Sequence, residues 1–184
     1  MAKRNPPEIL AKQTVAQSRL FSIEALDLRF SNGEQRTYER MKPSGRNAVM
    51  MVPVTEQGDI LLVREYAAGV ERYELGLPKG RTEVGESILD AANRELKEEV
   101  GYGANRLHHL TSVSIAPGYL EHMTEIVMAQ DLYEEKLPGD EPEELEVVPW
   151  GMDHLNELFN CGECTEARSI AALFLIKEYL KNAG

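Results

Sequence analysis

The chain has 184 residues, of which 42% are hydrophobic and 28% are charged. This length suits one well-cored globular domain with at most a small addition, and it excludes two full-sized domains. Twenty lysines and arginines against 31 aspartates and glutamates give a formal charge of -11, which would repel DNA or long RNA. A small phosphorylated ligand is compatible with this charge, because a bound divalent cation can reverse the sign of an acidic cleft.

Neither membrane insertion nor secretion is indicated by the sequence. It contains no run of about 18 apolar residues, and residues 1–17 lack the apolar core of a signal peptide. We therefore expect a cytoplasmic protein. Cys161 and Cys164 form a C-x-x-C pair, but the chain has no second such pair to complete a zinc site. We interpret this cysteine pair as incidental.

The N-terminal quarter predicts a β-hairpin. Two strand-like runs, 19–30 and 34–42, flank Ser31, Asn32 and Gly33, and an Asn-Gly pair at such a junction favours a tight turn. A hairpin is too small to hold a core of its own. We therefore divide the chain into an N-terminal hairpin extension, 1–45, and a main domain, 46–184.

The main domain reads as strands with few interspersed helices. Apolar and β-rich runs predict strands at 47–54, 60–66, 72–78, 106–115, 124–132 and 145–150, and helices at 87–100, 153–159 and 165–181. This order favours an α/β fold in which a mixed β-sheet is sandwiched between α-helices. We interpret the acidic stretch 134–146 as a solvated loop between strands.

The helix at 87–100 has an apolar face and an unusual acidic edge. Ile88, Ala92, Leu96 and Val100 repeat every four residues, and Gly101 follows where a left-handed cap belongs. With about 100° per residue, Glu99 lies about 40° from Glu95 and Glu98 lies about 60° away on the other side. Three like charges near a helix C-terminus are unfavourable, so a cation should offset them.

The sequence allows two interpretations of this acidic edge. Mg²⁺ prefers one or two carboxylates together with waters and phosphate oxygens, so a helix edge beside a Gly-rich loop suits phosphate chemistry. The alternative is a solvated acidic face that Arg94 and Lys97 balance, as charge runs commonly are.

The complete pattern from 80 to 102 resembles the Nudix box, G-x5-E-x7-R-E-U-x-E-E-x-G-U, where U is bulky and apolar. Every fixed position matches: Gly80, Glu86, Arg94, Glu95, Glu98, Glu99 and Gly101, with Leu96 and Tyr102 at the U positions. Pro117 follows Gly101 by 16 residues, a spacing similar to that of the ADP-ribose pyrophosphatase branch of the Nudix hydrolases. The segment before the box, ELGLPKG, departs from that branch and assigns no role to Glu74 or Lys79.

The resemblance implies a Nudix fold and Mg²⁺-dependent hydrolysis of a nucleoside diphosphate linked to a second group, with Mn²⁺ as a substitute ion. It implies metal ligation by Glu95, Glu98, Glu99 and the carbonyl of Gly80, and an orienting role for Arg94. Expected substrates are ADP-ribose, diadenosine polyphosphates such as Ap3A and Ap2A, and NADH, each releasing AMP. The order of preference among them is open.

The general base and the substrate contacts are less determined. Glu98 is one candidate for deprotonating water, and Glu121, His122 and Glu125 after Pro117 are others. The remaining candidates for substrate binding are Tyr38, expected to stack on adenine, Arg40, Arg46 and Arg64, expected to meet phosphates, and Pro117 and Glu121 in the downstream loop.

Family analogy implies a homodimer in which the N-terminal extension helps complete the partner's site. Two further readings remain: a non-catalytic sensor that binds ADP-ribose, and a nucleoside triphosphate pyrophosphohydrolase. The intact glutamates argue against the sensor. Pro117 and the N-terminal extension argue against the triphosphate enzyme.

Overall fold

Ten β-strands and three α-helices are formed by the residues that the computed structural model describes, 5–42 and 48–183. These residues fall into two units, one comprising 1–45 with 114–123 and the other comprising 46–113 with 124–184. Within the described ranges, no helix is long and apolar enough to cross a membrane.

The first unit contains an antiparallel sheet in the order β1-β2-β3, with β1 at Glu8–Gln17, β2 at Ser22–Arg29 and β3 at Gln35–Met41. The predicted hairpin is β2 and β3, and its turn places Gly33 at a φ of 87°, which glycine adopts without strain. The sequence analysis predicted no strand at β1. All ten of its residues are exposed, so it lacks the apolar alternation that marks a half-buried strand.

The second unit contains two further sheets. The four-stranded sheet has the order β7-β4-β9-β8, and the three-stranded sheet has the order β10-β5-β6. Their strands are β4 (Ala48–Pro53), β5 (Asp59–Ala67), β6 (Arg72–Gly76), β7 (Lys79–Arg81), β8 (Tyr102–Ser114), β9 (Met123–Glu134) and β10 (Glu146–Gly151). β4 runs parallel to β9 and antiparallel to β7, so the predicted mixed sheet is confirmed.

Three helices complete this unit, namely α1 (Ile88–Glu99), α2 (Leu155–Asn160), which follows one turn of 3₁₀ helix at Met152–His154, and α3 (Ala167–Ala183). Alternate residues of β4 point to opposite faces of its sheet. Val49 and Met51 pack with residues of α1, whereas Met50 and Val52 pack with residues of α3. All four are fully buried, so helices cover both faces of the sheet, as the sequence predicted.

The ends of α1 follow from its sequence. Ser87 caps the first turn, where its Oγ accepts a hydrogen bond from the Asp90 amide at 3.1 Å. Gly101, directly after the Val100 cap, has a φ of 79°, the left-handed conformation expected there. Ala92 and Leu96 are fully buried, and they hold the helix against the sheet so that its acidic edge lies along β7.

β7 is the second element that the sequence missed. The sequence suggested a Gly-rich loop at Lys79 and Gly80, but residues 79–81 pair with β4 in the register Lys79 with Met50, Gly80 with Val49 and Arg81 with Ala48. Three residues are too few to give a periodic signal. This short edge strand brings backbone amides next to the carboxylates of α1.

Candidate active site

Arg94 lies at the centre of the acidic edge. Its Nε and Nη2 donate to the two carboxylate oxygens of Glu86, at 2.9 and 3.0 Å. Its Nη1 donates to Glu95 Oε1 at 2.9 Å and to Glu98 Oε2 at 2.8 Å. Nη2 also donates to the carbonyl of Arg81 at 2.8 Å. One guanidinium therefore crosslinks three carboxylates and ties them to β7.

The backbone of β7 binds the same carboxylates from the other side. The Lys79 amide donates to Glu99 Oε2 at 2.9 Å, and the Arg81 amide donates to Glu95 Oε1 at 3.0 Å. A Cβ placed on Gly80, between these two amides, would overlap the carboxyl group of Glu95. A side chain at position 80 would therefore displace the Glu95 carboxyl group from this arrangement.

The β-ladder also decides which carbonyl faces the carboxylates. The Met51 amide donates to the Pro78 carbonyl at 2.9 Å, and hydrogen-bonded pairs alternate along an antiparallel ladder. Gly80 and Val49 are therefore the next hydrogen-bonded pair along the ladder. The carbonyl of Gly80, which the family resemblance suggested as a metal ligand, consequently points towards β4. The carbonyl of Lys79 points the other way, to the side on which the Lys79 amide contacts Glu99.

Burial and neighbouring charge shift the proton affinities at this edge. Glu99 is 8% exposed, and desolvation raises its pKa to about 8. Desolvation also raises the pKa of Glu95. The hydrogen bonds from Arg94 lower the pKa of Glu86, and Glu86 in turn raises the pKa of Arg94. Burial thus makes the ionised forms of Glu95 and Glu99 unfavourable when no cation is nearby, and a bound cation would favour them.

The edge fits a hard divalent cation by its donor chemistry. Within 5–42 and 48–183, no three His, Cys, Asp or Glu side chains form a ready-made metal cluster. The hydrogen bonds described above use one oxygen of each glutamate, namely Oε1 of Glu95, Oε2 of Glu98 and Oε2 of Glu99. A carboxylate has two oxygens, so each can accept these bonds through one oxygen and offer the other to a cation. Carboxylate and carbonyl oxygens are the ligands that Mg²⁺ prefers.

The acidic loop, 135–145, also reaches this edge, although the sequence suggested a solvated connection. The Leu137 amide donates to the carbonyl of Lys97 in α1, at 3.2 Å. A Cβ on Gly139 would lie 3.7 Å from the Glu98 carbonyl oxygen and would overlap the Glu141 carboxylate. Glu141 is thereby an acidic group beside α1 that sequence reasoning missed. Five acidic residues in an eleven-residue segment after a strand were the available signal.

Four of the predicted substrate-binding residues line one cavity of about 480 Å³ in the first unit: Tyr38, Arg40, Pro117 and Glu121. Its other walls are mainly apolar and include Leu26, Leu28, Phe30 and Tyr119. The Arg40 guanidinium is bound by two carboxylates, Glu24 at 2.8 Å and Glu121 at 2.9 Å. Its hydrogen bond lowers the pKa of the buried Glu24.

Other sequence candidates lie apart from these two groups or outside the described ranges. Arg64 donates to Glu146 at 2.8 Å and to Glu163 at 2.9 Å, so two carboxylates engage it. Arg46 lies outside the described residues. His122 is in the segment between β8 and β9.

Glu125, a candidate base that falls within the predicted strand 124–132, is a buried residue of β9. It accepts hydrogen bonds from Ser112 at 2.5 Å and His109 at 2.7 Å when the imidazole Nε2 carries a proton.

Lys79 and Glu74, to which the sequence assigned no role, both make specific polar contacts in the structure. Lys79 pairs through its Nζ with Glu65, and its amide binds Glu99. Glu74 Oε2 accepts hydrogen bonds from the amide and the hydroxyl of Thr165, both at 2.9 Å. Arg72 binds the other oxygen of Glu74 at 2.6 Å, so Glu74 fastens β6 to the start of the last helix.

Comparison with known proteins agrees with these features. Residues 7–40 match the family model of the NudE-type Nudix hydrolase N-terminal domain, and residues 45–162 match the NUDIX domain. The chain is 53% identical to the ADP compounds hydrolase NudE of Escherichia coli (strain K12), over 97% of this chain and 95% of that protein. It is 31% identical to an ADP-ribose pyrophosphatase of Bacillus subtilis (strain 168), over 89% and 91% of the two chains.

A solved structure gives the same result. The crystal structure of an ADP compounds hydrolase superposes with a TM-score of 0.92 at 52% identity, covering 100% of this chain and 99% of the other. The resemblance drawn from residues 80–102 and the expected Nudix fold are thereby confirmed. This chain belongs to the Nudix hydrolase family and is a pyrophosphohydrolase that carries a NudE-type N-terminal domain.

Proposed function

We propose that this enzyme cleaves the pyrophosphate bond of ADP-linked compounds, namely ADP-ribose, diadenosine polyphosphates such as Ap3A and Ap2A, and NADH, and releases AMP. The observation that carries the proposal is the set of glutamates on α1 that the β7 backbone and Arg94 hold in place. The names of the two relatives, which refer to ADP compounds and ADP-ribose, support the substrate class.

We propose Glu95, Glu98 and Glu99, with the Lys79 carbonyl, as the groups that would hold Mg²⁺, or Mn²⁺ in its place. When bound, the ion neutralises the pyrophosphate and lowers the pKa of the attacking water. Arg94 keeps the glutamates in one arrangement, since it binds Glu95 and Glu98 together. Holding the reacting groups in advance is the main contribution that a protein makes to phosphoryl chemistry.

The proton of the attacking water requires an acceptor near the same edge. Glu98 and Glu141 are the two carboxylates that we propose for this role. Glu98 shares one oxygen with Arg94, whereas Glu141 approaches from the acidic loop. Glu121 forms an ion pair with Arg40, and Glu125 is buried between Ser112 and His109. These contacts favour structural roles for both of those residues.

The adenosine part is proposed to enter the cavity of the first unit. Tyr38 is 46% exposed, so its ring is available for stacking, and the tilted Phe30 ring packs beside it with centroids 6.3 Å apart. Glu121 lines the same cavity and can accept a hydrogen bond from an exocyclic amine. Pro117 adds an apolar contact, and Arg40 orients Glu121.

The first prediction concerns turnover. The purified protein with Mg²⁺ and ADP-ribose should release AMP and ribose 5-phosphate, and chelation of the metal should abolish release, because the pyrophosphate would keep its full charge. Chromatography of the products checks this, and a panel of ADP-linked substrates gives their order. Tight binding of ADP-ribose without any product would favour a sensor and contradict the proposal.

The second prediction concerns Glu99→Gln. The amide oxygen can still accept the hydrogen bond from Lys79, but a neutral ligand binds Mg²⁺ more weakly, so kcat should fall by about 100-fold or more with little change in thermal stability. Steady-state kinetics at saturating Mg²⁺ measure the effect. Glu178→Gln, an exposed position on α3, is the matched control and should retain normal activity. A near-normal rate for Glu99→Gln would remove this residue from the metal site.

The third prediction concerns Tyr38. Tyr38→Ala should raise KM about 2- to 10-fold at unchanged kcat, since an aromatic pair contributes about 0.5–1.5 kcal/mol. Tyr38→Phe keeps the ring and should behave like the unsubstituted protein. Kinetics with ADP-ribose distinguish the variants. A normal KM for Tyr38→Ala would exclude stacking at this position.

The fourth prediction concerns assembly. We propose a cytoplasmic homodimer, in which the first unit helps complete the partner's site. The proposal is supported by exposed apolar side chains on that unit, including Ile9, Leu20 and Phe21 at 46%, 71% and 57%. Sedimentation under assay conditions should give twice the chain mass. A fully active monomer would contradict the shared site, and recovery outside the cytoplasmic fraction of cells would contradict the location.

A further inference from the structure

The acidic loop, 135–145, is fastened to the end of α1 at its first residues. The Glu135 amide donates to the Gly101 carbonyl at 3.0 Å, and the Leu137 amide donates to the Lys97 carbonyl at 3.2 Å. Lys97 also forms an ion pair with Glu135 at 2.8 Å. These bonds occupy backbone acceptors at the helix end and fix the direction in which the loop leaves β9.

A second anchor lies on the hairpin formed by β5 and β6. The Tyr73 hydroxyl donates to Glu143 Oε1 at 2.6 Å, a charge-assisted hydrogen bond that joins residues seventy positions apart. This bond raises the pKa of Tyr73. The Tyr73 ring packs edge-on against Tyr66 on the neighbouring strand, with centroids 5.5 Å apart and planes inclined by 70°. This edge-to-face contact restricts the orientation of the Tyr73 ring and therefore the direction of its hydroxyl.

Between the two anchors, the loop passes the acidic edge of α1. Gly139 lies against the carbonyl of Glu98, and the carboxylate of Glu141 folds back over Gly139. The negative charge of Glu141 adds to the burial that raises the pKa of Glu99. Glu141 lies within the segment from 138 to 142, so its position depends on how firmly that segment is held.

Electrostatics oppose this position. The acidic loop carries Glu135, Asp140, Glu141, Glu143 and Glu144 against one lysine, and it faces further glutamates on α1. These negative charges repel one another, so we expect a loop without anchors to move outward into solvent. Lys136 pairs with Glu144 inside the loop, a contact that does not tie the loop to the rest of the unit. The hydrogen bond from Tyr73 to Glu143 connects the C-terminal part of the loop to the rest of the unit.

We propose that Tyr73 is a positioning residue, which holds the acidic loop so that Glu141 faces the glutamates of α1 during hydrolysis. This inference rests on the proposed function, in which Glu141 is one of the two carboxylates proposed to accept the proton of the attacking water. Tyr73 touches neither the substrate nor the metal in this role. Its hydroxyl acts through Glu143 and the short segment that joins Glu143 to Glu141.

The test compares two hydroxyl deletions on one hairpin. Tyr73→Phe should lower kcat about tenfold with less than a twofold change in KM, because substrate binding is retained while Glu141 becomes misplaced. Tyr66→Phe removes a hydroxyl from the neighbouring ring, keeps the aromatic pair, and should leave kcat unchanged. Equal losses in both variants would overturn the proposal, because the cause would then be a general disturbance of the hairpin.

A double-mutant cycle tests the bond itself. Glu143→Ala, which removes the acceptor, should reduce kcat as Tyr73→Phe does, and the double variant should be no slower than either single variant, since each change removes the same hydrogen bond. Additive losses would overturn the proposed coupling.

Hydrogen exchange supplies a readout that does not require turnover. The amides of Gly139, Asp140 and Glu141 should exchange faster in Tyr73→Phe than in Tyr66→Phe, and unchanged exchange would overturn the anchoring role. A wild-type protein that releases no AMP would instead refute the proposed function, a result obtained before any variant is compared.

Discussion

The guanidinium of Arg94 is the interaction on which the arrangement of the acidic edge depends. Repulsion among the glutamates and with the helix dipole costs about 0.2–1 kcal/mol per contact. Each charge-assisted hydrogen bond from the partly buried Arg94 contributes about 1.5–3 kcal/mol, which offsets this repulsion. Arg94 nevertheless binds three carboxylates, those of Glu86, Glu95 and Glu98. One positive charge cannot neutralise three, so the edge retains an attraction for a further cation.

The sheet determines where this edge lies. Ala92 and Leu96 fix the rotation of α1 about its axis, because turning the helix would expose both and would leave their space in the core empty. With that rotation set, Glu95 and Glu99 point at β7, whose amides at 79 and 81 are not used by β4. Glycine at 80 is a consequence of the same packing. Apolar burial thus produces an ordered polar site, although no apolar residue takes part in the chemistry.

Elements with a local signal were predictable from the sequence, and contacts between distant segments were not. α1 was predictable because its apolar spacing, its serine cap and Gly101 all lie within fifteen residues. β1 was not, because a strand exposed on both sides has no apolar alternation. Glu141 was missed because its position depends on the path of the acidic loop. Likewise, Arg40 was expected to meet phosphate, since its sequence neighbours give no hint that Glu24 and Glu121 bind it.

The charges around Arg40 bear on what its cavity can recognise. Glu24 and Glu121 together outweigh the charge of Arg40, and Glu39 adds a further negative charge at the cavity wall. Such a cavity disfavours a phosphate and favours a neutral aromatic group with hydrogen-bond donors, which the ring of Tyr38 and the acceptor on Glu121 complement. In the proposed function, the phosphates would be recognised by a cation that the glutamates of α1 hold. The base and the diphosphate of an ADP-linked compound would accordingly be selected by different physical interactions, stacking for one and charge neutralisation for the other.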